Sequence, residues 1–262
     1  MDVIVCLKQV VDPELPVRDF AIDPSTMRQV QEGRPLVIST YDENALEVAL
    51  QLKDKGGGKV TALTLAPQGA VGDAVRLALA MGADEAVVVD EPRSPVLLGA
   101  EKAGLLAAAI RRIGRYDLVL AGCESADWVE RVVPPLLAEG LGAACVTFAS
   151  KVEVADGGLS VRRMADDGFH QLDVTLPAVV SIASDETNRP RLPKVKDIVA
   201  AKRKPVHIWP RADLPDAGAA LPVAEVREVA VPQQTSRCEF LPGEPAEQAA
   251  ALAQRLRDLK LL

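Results

Sequence analysis

The residues best placed to bind a ligand follow a predicted buried strand. Residues 116–122, YDLVLAG, have the composition of a strand that ends in glycine, and CESADWVERVVPPLL (123–137) follows directly. A strand, a loop and a helix start commonly hold a phosphate, because the free N–H groups of the helix point at it. This loop, however, contains Trp128 and Glu130 and no string of glycines. The sequence therefore leaves open whether the loop binds a nucleotide or has lost that capacity.

The other reactive side chains do not form a recognisable catalytic set. His170 and His207 are the only histidines, and neither accompanies a serine or cysteine in a strand-to-helix elbow. The sequence contains no GxSxG, no GxGxxG and no Walker loop. Its four cysteines are scattered without a CxxC pair, so neither a zinc site nor a redox dithiol is indicated. We therefore expect no catalytic residues and no metal, and a binding or carrier role.

The overall composition excludes several other classes of protein. The 262 residues carry a net charge of −7, with a pI of about 5.1, which argues against a nucleic-acid or membrane-surface protein. No apolar run approaches the roughly 20 residues that span a bilayer. The opening residues, MDVIVCLKQVVD, lack the basic segment of a signal peptide and are predicted as a strand. Unpaired cysteines are typical of a cytoplasmic protein, and we expect that location.

Strand-like apolar runs alternate with helical segments along the first 150 residues. Continuous apolar strands separated by helices are typical of a parallel sheet that is buried on both faces. The predicted strands are 3–8, 59–67, 82–90, 116–122 and 145–154. The predicted helices are 41–58, 70–81, a segment from Ser94-Pro95 to about 114, and 129–140. Ligands on such a sheet bind beyond the carboxyl ends of the strands, here 6–9, 65–68, 90–93 and 122–127.

The pattern changes after residue 150. Alternating residues around Asp167-Gly168 predict a hairpin followed by an inner strand. A basic, proline-studded loop follows, then a stretch rich in proline and alanine, and residues 245–262 have the pattern of an amphipathic helix. We predict an α/β nucleotide-binding-like domain over 1–205 and a C-terminal arm over 206–262. Such an arm packs on its own domain or on a partner subunit, and the pattern slightly favours the partner.

Taken together, these segments resemble the beta subunits of electron transfer flavoproteins. The resemblance covers nearly the whole chain. It is carried by VIVCLKQVVDP (3–13), VTALTLAP (60–67), LALAMGADEAVVVD (77–90), LLAEGLGAACVTFASKVEV (136–154) and LPAVVSIASDETNRPRLPKVKDIVAAKRKP (176–205). The order and spacing of the MGAD, TFASKVE and KRKP pieces are the most specific part. The resemblance implies a mostly parallel, Rossmann-like α/β sheet of the adenine-nucleotide-hydrolase-like type.

The resemblance also implies partners and cofactors. A beta subunit of this family pairs with an alpha subunit that holds most of a redox-active FAD, and it usually buries an AMP. The heterodimer accepts electrons from a flavin-dependent dehydrogenase and passes them on, commonly to a quinone oxidoreductase; the beta subunit alone catalyses nothing. By position, the cofactor-binding residues would be Cys6, Ser39, Tyr41, Leu65, Ala66, Cys123, Ser125, Ala126, Asp127, Trp128, Val132 and Val133.

The nucleotide loop departs from the family pattern. Asp127 is retained, but Val129 replaces a second acid, and Val132, Val133 and Pro134 stand where the family has glutamine, threonine or valine, and glycine. Prolines remove backbone donors, and valines offer no side-chain hydrogen bonds to a phosphate. The side chains are compatible with a retained AMP, and equally with a pocket that is empty or filled by Trp128.

A second site implied by the resemblance is a loop that docks a dehydrogenase through an apolar side chain. Matching the Leu-Pro pair places the anchor at Leu192, whereas counting back from Lys202 places it at Val195. A buried apolar anchor with a basic rim suits an acidic partner. The docking residues would be Arg191, Leu192, Lys194, Val195 and Lys196. Without the resemblance, the same residues would be read as a solvated basic loop.

A different class of protein remains as an alternative. A nucleotide-binding regulatory protein could use the same kind of sheet as a homodimer without flavin. The two readings differ in a measurable way, because only the electron carrier would acquire bound flavin when it is expressed with an alpha subunit.

Overall fold

A nine-stranded sheet forms the centre of the first of two compact units, Met1–Val229 and Ala230–Leu262. The computed structural model describes residues 1–67, 72–214, 226–231 and 238–262. The strands of this sheet span Val3–Leu7 (β1), Val60–Ala66 (β6), Glu85–Asp90 (β7), Leu118–Gly122 (β8), Ala144–Ala155 (β9), Gly158–Ala165 (β10), Gly168–Val174 (β11), Ala178–Ile182 (β12) and Val206–Pro210 (β13). Their order across the sheet is β11-β10-β9-β12-β8-β1-β6-β7-β13.

The seven strands that run from β9 to β13 across the sheet are all parallel to one another. Beyond β9, the hairpin of β10 and β11 extends the sheet with antiparallel pairing. The inner strands β1, β8 and β12 are buried along their entire length, since helices cover both faces of the sheet. The predicted fold class, a mostly parallel Rossmann-like α/β sheet, is confirmed. The predicted hairpin around Asp167-Gly168 is also confirmed.

Alternation along each strand divides the core into two layers. On β1, Val3, Val5 and Leu7 pack with helices α1 (Thr40–Gly56) and α2 (Asp73–Met81). The intervening Ile4 and Cys6 pack with α3 (Gly99–Ile113) and α4 (Val133–Leu141) on the other face. Side chains of a strand point alternately to opposite faces, so one short segment supports both layers.

Several helix starts differ from the predictions. Helix α3 begins at Gly99 rather than at Ser94-Pro95, because the Glu101 carboxylate accepts a hydrogen bond from the Leu98 N–H and caps the first turn there. Helix α4 begins at Val133 rather than at residue 129. Residues 70 and 71 of the predicted second helix lie outside the described residues.

The polar excursion between β1 and α1 contains two small sheets. Strands β2 (Gln9–Val11) and β5 (Leu36–Ile38) pair with each other, and β3 (Ile22–Asp23) and β4 (Arg28–Gln29) form a short antiparallel hairpin. This segment begins at the carboxyl end of β1, which is where ligands bind on a parallel sheet. The excursion is therefore placed to cover a ligand site.

The C-terminal part of the chain begins with a strand of the main sheet. Strand β13 pairs with β7 in parallel, so the sheet continues past the boundary predicted at residue 205. In the second unit, helix α6 (Pro245–Asp258) occupies the segment predicted to be an amphipathic helix, with Leu252 half exposed. Its packing on a partner subunit stays a prediction. Within the described ranges, no helix is long and apolar enough to cross a bilayer.

Candidate functional site

A cavity of about 690 Å³ lies at the carboxyl ends of β1, β6 and β8. This volume falls in the range of sites that bind small molecules and cofactors. Residues 6–9, 65–67 and 122–127 form much of its wall, and further parts come from the excursion over residues 11–32 and from helices α1, α3 and α4. The strand ends that the sequence predicted as walls therefore meet in one cavity, except for residues 90–93, which do not line it, and residue 68, which lies outside the described part of the chain.

Lys8 and Asp127 connect the first strand to the loop after β8. The Lys8 ammonium donates a hydrogen bond of 2.5 Å to Asp127 Oδ1 and one of 3.3 Å to Ser125 Oγ. Burial alone would raise the pKa of Asp127, but the charge of Lys8 and the hydrogen bonds that the carboxylate accepts hold this pKa below its usual value. Asp127 is thus ionised at neutral pH and paired with Lys8 through Oδ1.

A second carboxylate, Asp42, sits in the first turn of helix α1 and joins the ends of two strands. It accepts backbone hydrogen bonds of 2.8 Å from Lys8 after β1 and from Gly122 at the end of β8. Burial raises the pKa of Asp42 to about 7, and the two backbone donors oppose this rise. Nearby, Ser39 Oγ accepts a hydrogen bond from the Ala126 N–H. The start of α1 therefore fixes the floor of the cavity.

The backbone of the loop after β8 takes unusual conformations. Val129 and Arg131 have φ of 54° and 61°, in the left-handed region that branched side chains rarely occupy. The Arg131 guanidinium forms an ion pair of 2.5 Å with Glu124. These turns delay the start of helix α4 to Val133, with prolines inside its first turn, where a missing N–H breaks no helical bond. A strained loop beside a cavity is typical of functional sites.

Most of the predicted cofactor-binding residues meet at this cavity. Its lining includes Cys6, Leu65, Ala66, Cys123, Ser125, Ala126, Asp127, Trp128 and Val133. Ser39, Tyr41 and Val132 do not line it; Ser39 supports the loop from behind, and Tyr41 lies against Gly122. Trp128 is 39% exposed and forms part of the wall, so it does not fill the space.

Burial keeps the two thiols of the lining protonated. Burial raises the pKa of the Cys6 thiol far above its usual value, with the nearby Asp42 adding to the rise. Burial likewise raises the pKa of Cys123 to about 11. A protonated thiol is neither a nucleophile nor a metal ligand. Across the described ranges, no cluster of His, Cys, Asp and Glu could hold a metal ion.

The predicted cofactor-binding residues left out several charged residues of the lining, although Lys8 lies within the wall predicted at residues 6–9. Lys8, Arg28, Asp42 and Lys102 all contribute to the cavity. The signal for Lys8 and Asp42 was available, because each lies within two residues of a predicted strand end or helix start. Arg28 and Lys102 gave no such signal, since they come from a short hairpin and from the second turn of a helix.

The predicted docking loop is held firmly at its base. Buried Asn188 accepts hydrogen bonds from Asn44 and donates one of 2.9 Å to the Ala183 carbonyl. Arg191 forms ion pairs of 2.8 Å with Glu47 and 2.9 Å with Asp54 on helix α1, and the hydrogen bond to Glu47 raises the pKa of Arg191 still further. Arg191 therefore attaches the loop to the domain rather than lining a rim.

The tip of the same loop presents apolar side chains to solvent. Leu192 is 91% exposed and Val195, the first residue of helix α5 (Val195–Ala201), is 79% exposed. One turn later, Ile198 and Val199 are also about half exposed. Lys194 and Lys196 lie exposed beside them. Large apolar side chains that stand clear of a rigid base are typical of a protein interaction site.

Comparisons with known proteins show the family to which the chain belongs. The sequence profile of the electron transfer flavoprotein domain matches residues 27–214. Electron transfer flavoprotein subunit beta of Clostridium acetobutylicum is 37% identical over 214 residues, which cover 82% of this chain and 80% of that protein. The corresponding subunit of Syntrophomonas wolfei is 38% identical over 206 residues, or 79% and 78% of the two chains. Caffeyl-CoA reductase-Etf complex subunit CarD of Acetobacterium woodii is 34% identical over 215 residues, or 82% and 80%. The chain therefore belongs to the beta-subunit family of electron transfer flavoproteins.

Proposed function

We propose that this chain pairs with an FAD-carrying alpha subunit and acts as an electron carrier between a flavin-dependent dehydrogenase and a downstream acceptor such as a quinone oxidoreductase. Its membership of the family carries the proposal, because the similarity extends over four fifths of the chain, and the family profile at residues 27–214 includes the docking loop and part of the cavity lining. An electron carrier is also consistent with the chemistry of the cavity, where burial raises the pKa of both thiols and keeps them protonated.

The contribution of this chain is binding and geometry rather than catalysis. Electron transfer between flavins depends on their separation, so a subunit that fixes one wall of the flavin site and holds the dehydrogenase controls the rate through distance alone. The FAD would supply the redox chemistry when it is bound in the heterodimer. No side chain of this cavity is required to move a proton.

The cavity at the carboxyl ends of β1, β6 and β8 is the proposed nucleotide site. Three features support it: the position on a parallel sheet, the volume of about 690 Å³, and an apolar wall that includes Leu65, Ala66 and Trp128 beside charged groups. Trp128 offers a flat surface on which an adenine can stack. We therefore assign AMP to this cavity, despite the altered loop.

The exposed tip of the docking loop is the proposed contact with the dehydrogenase. An apolar anchor gains binding energy when it enters a pocket on the partner, and it gains more when its own backbone is already ordered. The ion pairs of Arg191 with Glu47 and Asp54 provide that order. Leu192, the most exposed large apolar side chain in the described part of the chain, is the preferred anchor, and Val195 is the second contact.

The test is to express this chain together with its alpha subunit, purify the complex, denature it and quantify the released FAD and AMP by chromatography. One FAD and one AMP per heterodimer are expected, together with reduction of the flavin by a cognate dehydrogenase. A chain that purifies alone as a colourless homodimer, and that acquires no flavin from the alpha subunit, would instead support the regulatory alternative. Release of FAD without AMP would support the electron-carrier function and contradict the assignment of AMP to the cavity.

A further inference from the structure

Two cations of the lining form no ion pair with any described residue. Arg28 lies on β4 of the excursion, and Lys102 lies in the second turn of helix α3. Within the described part of the chain, the buried Nε of Arg28 has no hydrogen-bond partner. Lys102 likewise forms no ion pair with any described residue. A buried donor without an acceptor is costly, which makes it a marker of a missing ligand group.

Most of the acids around these cations are already engaged, whereas Glu32 and Glu130, which also line the cavity, form no ion pair with a described residue. Asp127 is bound by Lys8, and Glu124 by Arg131. At the mouth, Asp12 and Asp23 accept N–H groups of their own turns. Glu101 caps its helix by accepting a hydrogen bond from the Leu98 N–H. Among the acids near Lys102, this leaves Glu130, whose carboxylate lies beside Gly99.

The loop after β8, by contrast, offers little to an anion. Pro134 and Pro135 have no N–H, Val132 and Val133 have no polar side chain, and the Arg131 guanidinium is paired with Glu124. The unpaired cationic side chains that favour a phosphate therefore lie elsewhere in the cavity wall.

We propose that Arg28 and Lys102 together hold the phosphate of a nucleoside monophosphate in this cavity, in place of the loop at 124–134. The inference rests on the proposed function, because it takes the cavity to be the nucleotide site. Arg28 contributes a planar guanidinium suited to two phosphate oxygens, and Lys102 contributes a point charge. Burial also lowers the pKa of Lys102 to about 8, and the charge of Lys8 adds to the effect. A phosphate beside Lys102 would stabilise its charged ammonium form.

The experiment measures binding of AMP and of adenosine by isothermal titration calorimetry to the heterodimer, after nucleotide has been removed. The variants are Arg28→Gln, Lys102→Met and the double variant. Arg18→Gln and Lys55→Met are matched controls, since both residues are exposed and neither lines the cavity. FAD content is measured on every sample, so that loss of the flavoprotein is distinguished from loss of the nucleotide.

Wild type is expected to bind AMP more tightly than adenosine, and each variant should weaken AMP about tenfold, the effect of one charge-assisted contact, with adenosine unchanged. Inorganic phosphate should compete with AMP in wild type and not in the double variant. Equal affinities of wild type for AMP and adenosine, no binding of either, or full AMP affinity in the double variant would each overturn the proposal. Retained FAD in those cases would leave the electron carrier intact.

Discussion

Lys8 Nζ lies 2.5 Å from Oδ1 of Asp127 and joins the end of the first strand to a loop 119 residues further along the chain. Both side chains are about three-quarters buried, so the pair is less screened by solvent than an ion pair on the surface. The pair fixes the loop that forms one wall of the cavity, and its loss should affect stability and shape together.

We expect the Lys8–Asp127 pair to show measurable coupling. In a double-mutant cycle with Lys8→Met and Asp127→Asn, the interaction free energy should be about 1 kcal/mol, read from urea unfolding. The exposed pair Lys151–Glu153, at 2.9 Å, is the matched control, and its coupling should be about 0.5 kcal/mol or less. Equal coupling in the two cycles would contradict the role of burial.

Stability should depend on the titration of Asp42. Its pKa in the folded protein is about 7, above the ordinary 3.8, so the folded state binds more protons than the unfolded state between these values. The contribution of Asp42 to stability is therefore full below about pH 4 and is lost as the pH rises through 7.

The difference in unfolding free energy between wild type and Asp42→Asn, called the margin below, measures that contribution. Denaturant unfolding at roughly pH 5 and pH 8 should show a larger margin at the lower pH. Asp166→Asn, at an exposed hairpin turn, serves as the control for general effects of charge. A margin that grows with pH would show that the backbone donors outweigh burial at this site.

Gly122 should not tolerate a side chain. A Cβ there would lie 2.7 Å from both Asp42 Oδ1 and Tyr41 Cβ, so Gly122→Ala must push helix α1 away from β8. The expected loss is about 1–3 kcal/mol of unfolding free energy. Gly104, inside helix α3, has nothing within 4 Å of its Cβ position, and Gly104→Ala should gain roughly 0.5–1 kcal/mol. Similar effects of the two substitutions would contradict the close approach at Gly122.

Docking of the dehydrogenase should depend on Leu192. In the complex with the alpha subunit, Leu192→Ala should reduce kcat/KM for the dehydrogenase by about thirtyfold, corresponding to an anchor of about 2 kcal/mol, and Val195→Ala by less. Direct reduction of the flavin by dithionite should not change. Val154→Ala, at another exposed valine, is the control. An unchanged kcat/KM in both loop variants would remove the anchor from this loop.

The sheet was predictable because its strands are continuous apolar runs, whereas the edges of the site were not. Val129 and Arg131 adopt left-handed backbone that no local pattern announces, and this shifts the start of α4. Ser94-Pro95 has the pattern of a helix start, but helix α3 begins at Gly99 because Glu101 caps the helix at Leu98. Arg28 and Lys102 acquire their position only through tertiary structure, when a distant hairpin and helix come to the same cavity.

The attachment of Asn188 to Asn44 and of Arg191 to Glu47 has a consequence for synthesis on the ribosome. These contacts join residues 144 positions apart, so the loop base cannot form until nearly the whole sheet has emerged and closed. A nascent or truncated chain therefore lacks the ordered base that presents the apolar tip. The dehydrogenase would meet a competent docking surface only on a chain that has completed its folding. Docking would therefore select fully folded carriers over incomplete ones.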